Sequence, residues 1–351
     1  MEDNKLINSI SKLKDPISIE EFINLCLYSN HGYYSNKIVI GKKGDFTTSP
    51  EISQLFGEIL GLFIFSEWKK NINKDFNLIE LGPGNATLLI DILNVTKNNK
   101  DFNKAINLKL IEKNKELINQ QKINLVKFNH DVRKIKWQND FKINKDKPVI
   151  VFSNEFFDCL PIRQFYKKNE IFYEKMLLYN NINQYLSYVD LEVDNKKIIS
   201  KIKNYDFKDV LEVSTSREEY FNKICEHIKI VGGLCIIVDY GYYNRPNYFT
   251  LQSVHNNKVA NVLDNPGKQD ITSLVDFKSF LDIAKKNQLE TKIFCSQRDF
   301  FLNLGINERA KKIINIATKN QKAVIKKGLE ILINNKKMGS LFKVLVISKN
   351  I

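Results

Sequence analysis

Long apolar runs are the first thing missing from this chain of 351 residues. A membrane-crossing helix needs about 18 to 20 consecutive apolar residues. The nearest approach, Ile59 to Phe65, is bounded by Glu58 and Glu67, so membrane insertion is not expected. The first residues hold no apolar leader, and acidic Glu2 and Asp3 are wrong for a transit peptide. A cytoplasmic protein is the expectation.

Paired cysteines are missing too. Cys26, Cys159, Cys225, Cys235 and Cys295 form no Cys-x-x-Cys, and an odd, scattered set argues against a disulfide frame. The four histidines, His31, His130, His227 and His255, are not spaced as metal ligands, and no metal is expected. Arginine is scarce, with six residues among 54 basic side chains, although the net charge is +14. Arginine is the preferred fork for phosphates and base edges. With lysines dispersed along the chain, the charge reads as a solvated basic surface, and nucleic acid is not expected as a partner.

What is present is an alternation of short apolar runs and helical patterns. Ser18-Ile19-Glu20-Glu21 ahead of Phe22, Leu25 and Leu27 reads as a capping box opening a helix. A Gly- and Thr-rich loop follows, from His31 to Pro50, and then a helix from about Glu51 to Trp68. Strands are expected at Leu78–Leu81, Leu108–Glu112, Leu125–Phe128, Val149–Phe152, Leu234–Val238 and Leu341–Ile347. Strands separated by helices imply a doubly wound parallel α/β sheet. Gln164 to Val189, rich in Tyr, Phe and Ile, breaks the rhythm and reads as an antiparallel insertion. Asn307 to Ile333 reads as helix with a core-facing apolar stripe. The expected division is residues 1–75 as a helical and lid region, 76–163 with 205–351 as the core, and 164–204 as a β-rich insert.

Between the first strand and its helix stands Glu80-Leu81-Gly82-Pro83-Gly84-Asn85-Ala86-Thr87. Glycines let the backbone pass close to a ligand, and the helix start offers amides to an anion. A dinucleotide loop would want a third glycine where Thr87 stands. The spacing instead suits a ligand with one carboxylate, as in the methionyl part of S-adenosylmethionine. A tight turn with no ligand fits this loop equally well. Glu112 ends the second strand, where an acid can accept from a ribose diol. Asp131 and Val132, after His130, are expected at the end of the third strand, against an adenine.

The fourth strand runs into Ser153-Asn154-Glu155-Phe156-Phe157-Asp158. Two carboxylates at this point suit a cationic nitrogen acceptor, because a guanidinium is permanently charged and takes carboxylates bidentately. Asp158 serves equally well as a helix cap. Asp239 and Tyr240 end the fifth strand on the same edge, and His255 and Asp270 lie in the loop beyond.

These segments together resemble the MidA-like family. The matching text is His31-Gly32-Tyr33-Tyr34, Gly44-Asp45-Phe46-Thr47-Thr48-Ser49-Pro50-Glu51-Ile52, Glu80-Leu81-Gly82-Pro83-Gly84, Asn154-Glu155-Phe156-Phe157-Asp158 and Asp239-Tyr240-Gly241. It continues through Pro266-Gly267, Asp270-Ile271-Thr272 and Leu304-Gly305-Ile306. The resemblance implies a class I methyltransferase fold using S-adenosylmethionine. It implies an arginine side chain of a protein as acceptor, with a respiratory complex I subunit as the mitochondrial members' target. It maps the cofactor loop onto Gly82 and Gly84, the catalytic stretch onto Asn154, Glu155 and Asp158, and a lid onto the loop holding Thr47 and Thr48. Mitochondrial members act in the organelle. One departure is Asn85-Ala86 where the family usually has Arg-Gly. Two other readings stay open: methylation of a small molecule or nucleic acid on the same core, and a non-enzymatic assembly factor that binds the same cofactor.

Overall fold

The computed structural model describes residues 5–35, 48–255 and 258–349. The chain divides into two compact units. One holds Met1–Val39, Phe157–Glu219 and Tyr242–Asp276, and the other holds Ile40–Phe156, Tyr220–Gly241 and Phe277–Ile351. Neither unit is one continuous stretch of sequence. The insert runs beyond residue 204, and the N-terminal stretch is split between the units. Contiguous sequence does not reveal which segments share a core.

The larger unit is organised on seven strands: β1 (Phe76–Leu81), β2 (Ile106–Ile111), β3 (Ile135–Gln138), β4 (Val149–Asn154), β5 (Gly233–Tyr242), β6 (Glu290–Ser296) and β7 (Phe342–Lys349). Their order is β6-β7-β5-β4-β1-β2-β3. The pairs among β1 to β5 are parallel, and β7 runs antiparallel to both β5 and β6. Strands covered on both faces read as continuous apolar runs; every residue of β1 and β4 is buried. The order reverses between β1 and β4, and that reversal opens a crevice at the carboxyl ends where ligands of open α/β sheets bind. Around the sheet lie α1 (Gln54–Asn71), α2 (Thr87–Thr96) and α3 (Lys115–Lys127). They bury Phe56, Leu60, Ile64, Leu89 and Leu125 in one core with Ile150 and Ile236.

Gly233 is what lets β5 lie against β4. Its φ is +114°, and a Cβ there would stand 1.9 Å from the Val149 carbonyl oxygen. No residue with a side chain fits.

One strand expectation fails. Leu125–Phe128 is the end of helix α3 and its cap, because Leu117, Gln121 and Leu125 bury one helical stripe at steps of four; a short apolar run cannot by itself declare its period. The third strand is Ile135–Gln138, a sheet-edge strand with one buried residue and so little apolar signal. The late helical stretch breaks into Ile306–Ile316 and Lys319–Ile333, and Ile316 and Val324 are exposed, not core.

The smaller unit is antiparallel, as the Tyr- and Phe-rich stretch predicted. Ile171–Asn180 pairs with Arg163–Lys168, with Tyr185–Glu192 and with Ile17–Ser18. Phe165, Val193, Ile202, Leu211 and Val213 form its small core. The capping box is formed: the Glu21 amide donates to Ser18 Oγ at 3.1 Å, and the Ser18 amide donates to Glu21 Oε2 at 2.8 Å. A second small sheet joins Gln252–His255 to Lys258–Ala260 and Asp270–Thr272.

Candidate active site

The turn after β1 is built from left-handed backbone. Gly82 has φ +59° and Gly84 φ +52°. The Gly82 amide donates to the Ile111 carbonyl at 3.0 Å, and the Ala86 amide to that of Pro83 at 2.7 Å. A Cβ on Gly82 would meet the Phe156 ring at 2.9 Å, so glycine is required by both φ and space. Ala86, buried, also sits at φ +62° and is the N-cap of α2 without a side-chain acceptor for the first amides. A helix start whose cap offers no acceptor suits an anionic group.

Glu80, just before the turn, is 3 % exposed, and its Oε2 has no hydrogen-bond partner among the described residues. Burial pushes its carboxyl up to about 8. A buried carboxylate oxygen without a donor is costly, so such a position calls for a cationic or hydrogen-bonding partner. Glu112 follows β2 directly and is half-buried. Its Oε1 accepts from the amides of Lys113 at 2.8 Å and Asn114 at 2.9 Å. Burial raises its pKa, opposed by those amides.

Three sequence segments that are far apart in the chain converge here. Glu51, in the short helix Ser49–Ile52, accepts from Thr87 Oγ1 at 2.6 Å and from Asn85 Nδ2 at 3.3 Å. The Ser49 amide donates to Glu155 Oε1 at 3.1 Å, and Asn154 Nδ2 donates to the same oxygen at 2.9 Å. The residues after the Thr-rich loop therefore tie the glycine turn to the end of β4. The N-cap of their helix is Thr48. Thr47 lies outside the described residues.

Glu155 has φ +51°, a conformation that a long side chain adopts only under constraint. Its amide donates to the Val238 carbonyl at 3.0 Å, and Val238 pairs with Asn154. Asp239, one step beyond, is therefore level with Glu155 on the neighbouring strand. It is fully buried, with Oδ1 accepting from the Tyr240 amide at 3.0 Å. Tyr240 packs edge-on against Phe342.

Asp131 and Val132 are not where the sequence put them. They precede β3, and Leu108 pairs with Ile135 while Ile111 pairs with Gln138, so they lie at the amino end of the sheet. Asp131 is taken by Arg133, whose side chain and amide hold its carboxyl below the usual range. The residue at the carboxyl edge is Gln138, whose carbonyl accepts the Glu112 amide at 2.9 Å.

The remaining expected residues belong to the smaller unit. Asp158 is buried, and its carbonyl accepts from the Ser273 amide at 3.0 Å and from Arg217 at 2.6 Å. Asp270 Oδ1 accepts from the Tyr34 hydroxyl at 2.7 Å. His255 Nδ1 contacts the Lys268 carbonyl at 3.0 Å. Two residues escaped sequence reasoning. Buried Arg217 also donates to the carbonyls of Leu274 and Ser273, and nothing in its neighbourhood distinguishes it from a surface arginine. Gln121 carried a usable signal, a polar residue in the Leu117–Leu125 core stripe.

Known proteins resemble this chain. A family model described as an S-adenosyl-L-methionine-dependent methyltransferase matches residues 59–295. The mitochondrial protein arginine methyltransferase NDUFAF7 homolog of Caenorhabditis elegans is 30% identical over 332 residues, 87% of this chain and 76% of the relative. The NDUFAF7 protein arginine methyltransferase of Bos taurus is 30% identical over 363 residues, covering 96% and 82%. A crystal structure of a Burkholderia thailandensis protein bound to S-adenosyl-homocysteine superposes with a TM-score of 0.84 at 20% identity, covering 98% of this chain and 91% of that one. The sheet is thus the class I, Rossmann-like methyltransferase sheet, its cofactor is S-adenosylmethionine, and the chain belongs to the S-adenosyl-L-methionine-dependent methyltransferase family.

Proposed function

We propose that the chain transfers the methyl of S-adenosylmethionine to an arginine side chain of a protein. The observation that carries this reading is Glu155. It is a carboxylate held at the carboxyl edge of β4 by Ser49 and Asn154, in strained backbone, level with buried Asp239 on β5. A guanidinium keeps its charge at all working pH values, so carboxylates both orient it and stabilise it during transfer. Asp158, three residues along the chain, is assigned as the second carboxylate. Asp239, Tyr240, His255 and Asp270 are assigned to the acceptor's path. The relatives named as protein arginine methyltransferases support the same acceptor, and a respiratory complex I subunit is the acceptor the sequence resemblance implies. The cytoplasm is the proposed site of action.

For the cofactor, the assigned residues are Gly82, Pro83 and Gly84 against the methionyl part, with the first amides of α2 for its carboxylate and Glu80 for its ammonium. Glu112 would accept from the ribose diol, and Thr47 and Thr48 would cover the site. The bound cofactor supplies an electrophilic sulfonium methyl. The chain supplies alignment and charge, through a fixed turn and a fixed carboxylate.

Tritiated methyl transfer into native cell extract tests this. Label is expected in protein, recovered as methylarginine after hydrolysis. Glu155→Gln is expected to lower incorporation about 100-fold, with S-adenosyl-homocysteine binding unchanged. Label in nucleic acid or a small molecule would refute a protein acceptor. Cofactor binding with no label anywhere would leave an assembly role in its place.

A further inference from the structure

Gln121 occupies the middle of the buried stripe of α3 and is 0 % exposed. A buried primary amide must find partners for both ends. Trp137 Nε1–H donates to Gln121 Oε1 at 2.8 Å. An indole nitrogen can only donate, so this bond decides which end of the amide is oxygen. The NH2 end then donates to the Gly84 carbonyl at 2.9 Å and to Glu112 Oε2 at 3.4 Å. One turn later Asn124 Nδ2 donates to the Asn85 carbonyl at 2.9 Å. Helix α3 therefore grips the glycine turn through carbonyls and the acid of β2 through its carboxylate, with Gln121 common to both.

We propose that Gln121 is a positioning residue for cofactor recognition. It sets the glycine turn in register with the Glu112 carboxylate, and Trp137 locks the amide in the one orientation that serves both. This rests on the reading of Glu112 as the ribose acceptor. The proposal makes a ligand-specific demand that plain packing does not. Loss of Gln121 must weaken recognition of the ribose hydroxyls more than recognition of the rest of the molecule.

The test is calorimetry on the full chain with S-adenosyl-homocysteine and with its 2′,3′-dideoxy analogue. Gln121→Met is expected to weaken S-adenosyl-homocysteine about 10- to 30-fold, the lower part of the range for a hydrogen bond to a charged group, and the dideoxy analogue no more than about threefold. Trp137→Phe, which keeps the NH2 donors but unlocks the amide, is expected to give a smaller loss with the same ligand dependence. Equal losses on both ligands, or no loss, would overturn the proposal. If Gln121→Met does not fold, Trp137→Phe decides by the same criterion. Glu112→Ala separates the two readings, because it should bring the two ligands to equal affinity. If it keeps the wild-type ratio, the ribose reading fails and takes the proposal with it. If it equalises the ligands while Gln121→Met changes nothing, only the role of Gln121 is refuted.

Discussion

In the unit that carries the glycine turn, the special positions are in the main chain. Gly82, Gly84, Ala86, Glu155 and Gly233 all have positive φ: Gly82 and Glu155 directly follow buried parallel strands, Gly84 and Ala86 complete the turn into α2, and Gly233 opens β5. In the smaller unit the organising groups are side chains instead. Arg217 collects the carbonyls of Asp158, Ser273 and Leu274. Glu212 accepts from Gln164 Nε2 at 2.8 Å and from the Thr250 amide at 2.9 Å. Arg163 pairs with Glu174, and Tyr34 with Asp270. The contrast teaches that a cofactor turn is specified by a few residues close together in sequence. An antiparallel region assembled from three separate stretches is specified by long-range pairs, each of which must find its partner.

The sharpest way to break this contrast is Gly233→Ala. With φ at +114° and a backbone oxygen 1.9 Å from the new Cβ, β4 and β5 must separate. The expected cost is about 4 kcal/mol or failure to fold, measured by urea denaturation. A fully stable variant would show that the main chain of this unit is not the constraint. Next in size is Arg217→Met in the other unit. It strands several buried carbonyls, at an expected cost of about 3 kcal/mol, and the smaller unit should lose amide-exchange protection first.

Glu80→Gln probes the buried carboxyl of the apo protein through pH. In the folded chain its pKa is about 8 against an ordinary 4.5. Below the ordinary value the group is neutral in both states and costs nothing. Between 4.5 and 8 the unfolded chain ionises while the folded chain holds its proton, so stability falls as pH rises, and the loss levels off above 8. The variant should therefore fall below wild type near pH 4, by the desolvation cost of the amide, and exceed it near pH 8. A gain of roughly 2 kcal/mol is expected there, since the buried glutamine amide has its own desolvation cost. Asp91 is also pushed up to about 8 by burial and by Glu58 and Glu51, so only the difference between the two pH curves isolates Glu80. The smallest effect belongs to Ala86→Gly, which relieves a left-handed alanine at φ +62°. It should raise stability by about 1 kcal/mol, read as a higher urea midpoint; an unchanged or lower midpoint would mean the alanine is not strained.

The parts of the site that were legible share one property. Glu80 lies at the end of a strand, and Gly82, Gly84, Glu112 and Glu155 come after strands, whose apolar runs are unmistakable, so counting to the strand end is enough to put them on one edge. Asp131 and Val132 lie at the amino end of the sheet because the third strand comes later in the chain than the apolar run suggests. Leu125 to Phe128 looked extended, while β3 is a sheet-edge strand with little apolar signal. Gln121 was readable only after its helix was known, since a polar residue in a core stripe has meaning only against the period of that stripe.

By itself, the order of residues determined the alternation of strand and helix, the backbone-permissive turn and the acids that flank it, because these depend on neighbours within a few positions. Only tertiary structure decided that the Ser49 amide donates to Glu155, that Glu51 binds the glycine turn, that Gln121 bridges Gly84 and Glu112, and that three separate stretches make one antiparallel unit. Those facts depend on which distant groups are desolvated together. A buried donor or acceptor takes whatever partner the packing brings within 3 Å, and local sequence holds no record of that choice.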